Sequence, residues 1–341
     1  MDYTFPDAFT KRRDSVCIRR QMTMKIVIPG GTGQVGTLLA RAFHRDGHEV
    51  TIWGRQPPMP APWRVEQWNP AEISLWAQKL EGIDVLVNLA GRSVNCRYTA
   101  ENRRQIIDSR VGSVRALGRA IAELKEPPRV WLQSSTATIY AHTHTAAHDE
   151  ASGIIGGSEP DAPTSWRFSI EVASAWEKTL DEVSTPATRK IKLRSAVVMN
   201  PDRGSIFDTL LGLVRRRLGG ASGDGRQYVS WIHETDFVNA VYFLVEREAM
   251  NGVVNLSSPN PLPNREFMSQ LRQAWGTKVG LPATKWMLEI GAALMGTESE
   301  LVLKSRRVIP GRLLKESFQF AYPEWEGAAR ELCERWRYEK G

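Results

Sequence analysis

The run Met24-Lys-Ile-Val-Ile-Pro-Gly-Gly-Thr-Gly-Gln-Val-Gly36 constrains this chain more than any other stretch. An apolar segment, Ile26 to Ile28, breaks into glycines and then into a stretch with helical spacing, Thr37 to Arg45. Gly30, Gly33 and Gly36 recur every third residue. A chain that turns sharply after a strand and lays bare backbone against a pyrophosphate needs glycines at that interval. The last one lets the helix pack close to the strand, and the helix N-terminus then holds the phosphate charge. Contacts to such a ligand are expected from Gly30, Gly31, Thr32, Gly33, Gln34, Val35 and Gly36. A second strand, His48 to Trp53, ends in Gly54-Arg55, where the adenosine ribose would lie. A carboxylate there would bond the ribose 2′-hydroxyl and repel a 2′-phosphate, whereas an arginine does the reverse. Arg55 is the first charged residue at or beyond that strand end, so the expected cofactor is NADP(H) rather than NAD.

Short apolar runs alternate with helical spacing through about residue 200. The runs are Ile26–Ile28, Val50–Trp53, Val65–Trp68, Val85–Leu89, Val130–Leu132 and Ile191–Met199, and the clearest helical stretches are Glu101–Leu124 and Ser165–Leu180. Strands apolar on both faces, alternating with helices, specify an α/β fold with a doubly wound parallel sheet. In an open parallel sheet the ligand lies beyond the carboxyl ends of the strands. The fourth strand ends in Asn88-Leu-Ala-Gly91, leaving room for a nucleotide at Leu89, Ala90 and Gly91. The fifth ends in Ser134-Ser-Thr136, with Tyr140 four residues beyond. After residue 200 the pattern changes: glycine-rich loops (Gly219-Gly220, Gly223-Asp-Gly225) frame Gln227–Ile232. A helix is expected over Asp236–Arg247, a strand over Val253–Leu256, and proline-broken helices from Asn264. The expected division is a tail over 1–23, a nucleotide-binding domain over 24–200, and a substrate lobe with C-terminal helices over 201–341, partly interwoven with it.

Charge and cysteine content narrow the function classes. The net charge of +7 comes from dispersed residues, without a finger, RNA-binding or basic-helix motif, so no nucleic-acid partner is expected. Arg92, Arg97, Arg103, Arg104 and Arg110 cluster after the fourth strand, as suits a polyanionic dinucleotide. Cys17, Cys96 and Cys333 are too few and scattered for a disulfide framework, which points to a reducing, cytoplasmic setting. No apolar run approaches a membrane span, so no membrane partner is expected. Residues 1–23 read as a disordered tail, with an organelle-targeting piece or an upstream start before Met22 or Met24 as alternatives.

Three histidines, His142, His144 and His148, have metal-like spacing beside Asp149 and Glu150, but they sit in a polar loop without a cysteine or a second cluster. Solvated side chains, and no metal, are the expectation. At Trp231-Ile-His233, ahead of Asp236, a His–Asp hydrogen bond fixing a helix start is expected. The twelve tryptophans read mostly as core anchors, with Trp231 or Trp166 as candidate cleft residues.

The glycine motif, Asn88-Leu-Ala-Gly91 and Ser135-Thr-Ala-Thr-Ile-Tyr140 together resemble the extended short-chain dehydrogenase/reductase superfamily. Further features narrow the resemblance: Arg97-Tyr-Thr, Ser109-Arg110, Gly219 to Gln227, Ser230-Trp-Ile-His233 with Asp236, Asn255 to Asn260, and Val308-Ile-Pro-Gly-Arg312. They are similar to an atypical branch of NAD-dependent epimerase/dehydratase-like proteins, some once labelled cell-division inhibitors. The resemblance covers roughly residues 24 to 335. It implies a Rossmann domain with a small C-terminal substrate lobe, and cofactor contacts at Gly30–Gly36, Gly54-Arg55, Leu89-Ala90 and Arg110, with Ser134 and Gly91 alongside.

The superfamily's Tyr-x-x-x-Lys pair, in which an ammonium one helical turn away lowers the phenol's pKa, is absent: none of the seven tyrosines has a lysine four residues on. Aligning Phe168–Glu177 by its final glutamate puts Ser169 in the tyrosine position and Ala173 in the lysine position. Two functions follow as expectations. One is an NADP-dependent oxidoreductase on a small carbonyl or alcohol, with Thr136 orienting the substrate and Tyr140 or a bound water supplying the proton. The other is a cofactor-binding sensor or partner-binding protein without turnover. An epimerase with tightly held cofactor is a third possibility, and the chain is expected to be a monomer or homodimer.

Overall fold

A computed structural model describes residues 23–56, 60–159, 163–283 and 300–340; the tail assigned to 1–23 lies almost wholly outside them. The elements run β1 (Lys25–Pro29), α1 (Gln34–Arg45), β2 (Glu49–Gly54), β3 (Arg64–Gln67), α2 (Ile73–Trp76), β4 (Val85–Asn88), α3 (Ala100–Ala122), β5 (Val130–Thr136) and α4 (Thr164–Glu182). They continue with β6 (Arg189–Ser195), β7 (Val197–Met199), α5 (Ile206–Arg215), β8 (Tyr228–Val229), β9 (Trp231–His233), α6 (Glu234–Glu246), β10 (Gly252–Leu256), β11 (Leu262–Pro263) and α7 (Asn264–Trp275). Three more helices follow among the described residues: α8 (Glu300–Leu303), α9 (Gly311–Lys315) and α10 (Trp325–Lys340).

Among the described residues the main sheet has seven strands in the order β10-β6-β5-β4-β1-β2-β3, every neighbouring pair parallel. The strand order reverses direction between β1 and β4, and there a crevice opens at the carboxyl ends. Both faces are covered, and the sequence shows why. On β1, Ile26 and Ile28 enter one apolar cluster with α1 and α6, while Val27 enters the other with α3 and α4. Period-two alternation in a strand apolar on both sides feeds two cores at once. On the second face Trp53, Trp68 and Trp76 pack on one another with ring centres 5.5–5.7 Å apart.

Beyond residue 200 the chain is not a separate appendage. β10 adds to the sheet edge beside β6, and α6 packs on the same core as α1. The single run expected over Ile191–Met199 divides at Ala196. Its amide donates to the Leu256 carbonyl at 2.9 Å, and β7 leaves the main sheet to pair with β9. A third core gathers Phe207, Trp231, Phe267, Trp325 and Leu332 from β9, α5, α7 and α10. No helix among the described residues is long and apolar enough to cross a membrane.

Candidate active site

The phosphate-binding end is built from backbone. Gly30 has φ +76°, and a Cβ on it would stand 2.6 Å from the main chain of Ala90. The loop after β1 therefore lies directly on the tip of β4, and only glycine fits. Gly36 is crowded from the other side, since a Cβ there would come 2.6 Å from the Gly31 carbonyl carbon. Gly33, between them, differs: a Cβ would meet nothing nearer than the Gly30 oxygen at 3.8 Å. The loop thus folds tightly on its first and last glycines and opens at the middle one. Gly33 is also the N-cap of α1. It makes no side-chain capping bond, and the first turn carries no acidic residue. Amide donors at the positive end of a helix dipole, uncapped and facing open space, suit an anion. The residues in hand therefore fit a dinucleotide's phosphates.

The other residues expected at this end divide by exposure. Thr32 and Gln34 are exposed, while Val35 is half-buried against the sheet core. Gly54 closes β2, where a Cβ would strike the Thr32 methyl, and Arg55 follows it with an exposed side chain. Ala90 is buried. Its amide donates to Asn88 Oδ1 at 3.1 Å, so it contributes the surface on which Gly30 rests rather than a wall of the cleft.

A cleft of about 260 Å³ opens beyond the tips of β4 and β5, with Leu89, Gly91, Arg110, Ser134, Ser135 and Thr136 on its walls. Arg110 stands directly against Gly91, its guanidinium 5.0 Å from the Trp176 ring centre and donating from Nη1 to the carbonyls of Arg92 and Ile106 at 3.0 Å. Burial pushes its pKa down to about 10, which leaves it cationic at neutral pH. Thr136 caps a 3₁₀ turn, Ala137–Ile139, by accepting the Thr138 amide at 3.1 Å. Its hydroxyl proton can then be given to a substrate oxygen.

Helix α4 forms the facing wall, and it presents Phe168, Ser169, Val172, Ala173 and Trp176 to the cleft. Ser169 and Ala173 therefore do face it, one helical turn apart, where a tyrosine and a lysine would be needed. Neither can perform the tyrosine's acid chemistry alone. Ser169 donates to Glu300 Oε2 at 2.5 Å, and Glu300 comes from α8, far along the chain and only 1% exposed. Next to it Lys304, also 1% exposed, donates from Nζ to the Thr138 carbonyl at 2.8 Å. Burial, followed by the charge of Arg306, pushes that ammonium down to about 8. Arg306 donates from Nε to the Thr138 hydroxyl at 3.1 Å. Two cleft hydroxyls, Ser169 and Thr138, are thus backed by charges of opposite sign.

Tyr140 does not line this cleft, against the placement the proton-donor expectation requires. The 3₁₀ turn after β5 swings it inward, leaving it 2% exposed and absent from the cleft walls. Its hydroxyl donates to Asn255 Oδ1 at 2.9 Å, and its ring lies between His148 and the Arg194 guanidinium. Burial raises the phenol's pKa against the opposing pull of Arg194, the wrong direction for an acid catalyst near neutrality. Arg194 belongs to a brace under the β5 tip. It bonds Glu177 through two contacts of 2.7–2.8 Å, and Glu177 also accepts from Ser135 at 2.6 Å. Burial works to lower the Arg194 pKa, but bonding to Glu177 outweighs it and the net shift is upward.

The histidine loop differs from its expected solvated state. His148 is buried on Tyr140, its Nδ1 accepting from the Ile154 amide and its Nε2 bonded to the Ala141 carbonyl. Burial lowers its pKa and favours the neutral ring. His142 accepts the Ser305 amide at 2.9 Å and packs on Trp166, so the loop anchors the segment that carries Glu300 and Lys304. Neither Trp166 nor Trp231 lines the cleft: the first lies on His142, and the second is in the third core against Trp325. Trp176 and Phe168 hold that place, unnoticed in the sequence because a helix's apolar stripe looks the same whether it meets a core or a cleft. His233 does cap α6, accepting the Thr235 amide, but its other nitrogen bonds Glu331 at 2.9 Å rather than Asp236. Asp236 instead accepts the amides of Ala321 and Tyr322.

Residues 26–163 match the model of the NAD dependent epimerase/dehydratase family, and residues 283–332 match a domain of unknown function. The human epimerase family protein SDR39U1 is 30% identical over 313 residues, covering 91% of this chain and 99% of that protein. The Bacillus subtilis epimerase family protein YfhF is 30% identical over 316 residues, covering 91% and 98%. The crystal structure of human SDR39U1 isoform 2 with NADPH superposes with a TM-score of 0.78 at 28% identity, over 91% of this chain and 99% of that one.

Proposed function

The chain belongs to the NAD dependent epimerase/dehydratase family, and from that premise we propose that it binds NADP(H) and acts as an oxidoreductase on a small carbonyl or alcohol. The observation that carries the reading is that the glycine turn and the cleft meet at the tip of β4. The opened turn at Gly33 faces the helix N-terminus, Gly30 rests on the β4 tip, and the cleft continues past Gly91 to the hydroxyls of β5 and α4. The solved relative with NADPH along 91% of the chain supports the choice of cofactor, and so does Arg55 at the β2 end without a competing carboxylate.

A bound nicotinamide would supply or accept hydride at the cleft. The protein's own part is orientation and proton handling. Gly33 and the first turn of α1 hold phosphate charge, Arg55 meets a 2′-phosphate, and Arg110 adds a cation beside Gly91. Thr136 donates to the substrate oxygen from a position fixed by its own capping bond. Phe168, Val172 and Trp176 give the cleft a mainly apolar wall that limits water around the reacting carbon.

The test combines binding with turnover. Calorimetric titration should give saturable NADPH uptake by the full chain, and mixing it with NADPH and a panel of small aldehydes and ketones should consume the reduced cofactor's absorbance. Uptake without consumption for every carbonyl selects the second reading, a protein that holds NADPH without turnover. One observation favours that alternative: the α4 positions facing the cleft are Ser169 and Ala173, not tyrosine and lysine.

A further inference from the structure

The cleft keeps a hydroxyl where the superfamily's acid would stand, and behind it lies a carboxylate the sequence alone does not associate with it. Ser169 lines the cleft and donates to Glu300 Oε2 at 2.5 Å across 131 residues of chain. That geometry has a chemical direction. With its own proton committed to a carboxylate, the serine oxygen turns lone pairs toward the cleft and accepts a hydrogen bond from a substrate hydroxyl. Glu300 is held from several sides. Its carbonyl accepts from the Lys304 amide at 3.2 Å and from Arg306 Nη2 at 3.3 Å. The strap that carries it is tied down at Ser230, whose hydroxyl donates to the Arg306 carbonyl at 2.7 Å and accepts the Val308 amide at 2.8 Å. The backbone that carries the carboxylate is therefore fixed, and a carboxylate so placed behind a hydroxyl is a base acting through one relay atom.

We propose that Ser169 is the proton-transfer residue of this cleft and that Glu300, acting through it, is its positioning residue and the final proton acceptor. The inference rests on the oxidoreductase reading above. In the alcohol-oxidising direction the substrate O–H proton passes to Ser169 Oγ as the serine proton passes to Glu300 Oε2. The electrons of the carbon–hydrogen bond leave as hydride to the oxidised nicotinamide dinucleotide, and the carbon–oxygen double bond forms. Carbonyl reduction runs the same atoms backwards, with a protonated Glu300 as source. The pair gives the site an acid–base group that does not depend on a phenol. Lys304 and Arg306 are the cations facing the carboxylate, each coupled to its charge.

The test uses two alcohols of different acidity on the NADP⁺-saturated full chain, so that it does not wait for the natural substrate. A hydroxyl backed by a carboxylate should prefer trifluoroethanol to ethanol in calorimetric titration by on the order of tenfold, because a charge-assisted acceptor rewards the stronger donor. Ser169→Ala and Glu300→Gln should bring that ratio close to one while NADP⁺ uptake stays unchanged, and Ser169→Thr should keep the preference. Glu300→Gln preserves side-chain volume and so covers the case in which Ser169→Ala does not fold. An unchanged ratio in folded variants, or no preference in the parent chain, overturns the proposal alone. Failure of the parent chain to take up NADP⁺ overturns the functional reading, and this inference with it.

Discussion

The two ends of the cleft are made of different material. At the nucleotide end the working groups are main-chain amides, and side chains matter chiefly by being absent, at Gly30, Gly33 and Gly36. At the substrate end the working groups are hydroxyls, and beside Thr136 three of them are set by a charged partner from a distant part of the chain: Ser135 by Glu177, Ser169 by Glu300, Thr138 by Arg306. The first kind of site is local in sequence and tolerates little change. The second is assembled by the tertiary fold and can be rewired by replacing one partner.

The largest effect should come from attacking the backbone end. Gly36→Ala forces a methyl against the Gly31 main chain, which cannot retreat because Gly31 itself donates to the Ile28 carbonyl at 3.0 Å. Overpacking of this kind costs about 1–3 kcal/mol and sometimes more. The expected outcome is a clear loss of thermal stability, measured by calorimetric unfolding, together with abolished NADPH uptake. A variant that keeps both would show that the turn is looser than the contrast requires. Arg55→Asp probes the charged side chain expected at the adenosine ribose and should be gentler. It should leave the melting temperature within a degree or two, since exposed substitutions rarely exceed about 0.5 kcal/mol. NADPH affinity should fall by about tenfold or more relative to NADH as a carboxylate replaces the 2′-phosphate's cation. Equal titration curves for both dinucleotides, before and after, would remove Arg55 from the site.

The same contrast explains what could be read in advance. The fold class, the glycine turn and the strand tips at Leu89–Gly91 and Ser134–Thr136 are all continuous in sequence, so periodicity and spacing exposed them. The Ser169–Glu300 pair could not be found that way. Glu300 and Lys304, four residues apart, look like an ordinary solvated helix pair until the Ser230 strap buries them. Likewise the run Ile191–Met199 carries one uninterrupted apolar signal, and only tertiary pairing decides that β7 leaves the sheet for β9. Distance from the strand tip points Tyr140 at the cleft, but the intervening turn carries it into the core. Three residues of 3₁₀ helix are enough to rotate a side chain from cleft to core.

Tyr140→Phe is the smallest and sharpest probe of that difference between the two ends. It removes one hydroxyl and leaves the ring stacked on His148 and under Arg194. If the phenol is structural, the cost is the hydrogen bond to Asn255 and the desolvated acceptor it leaves behind, about 1–3 kcal/mol. Part of that is recoverable, because Asn255 remains held through its Nδ2 donation to the Ile309 carbonyl at 3.0 Å. Chemical denaturation should therefore show a modest fall in midpoint with an unchanged slope, and NADPH affinity should be retained. Turnover of any carbonyl that the parent chain reduces should also stay within about twofold, well short of the 100-fold or greater loss that removal of a general acid produces. A loss of turnover on that larger scale at unchanged stability would return Tyr140 to the cleft. It would also break the separation between hydroxyls that meet the substrate and those that only hold the wall in place.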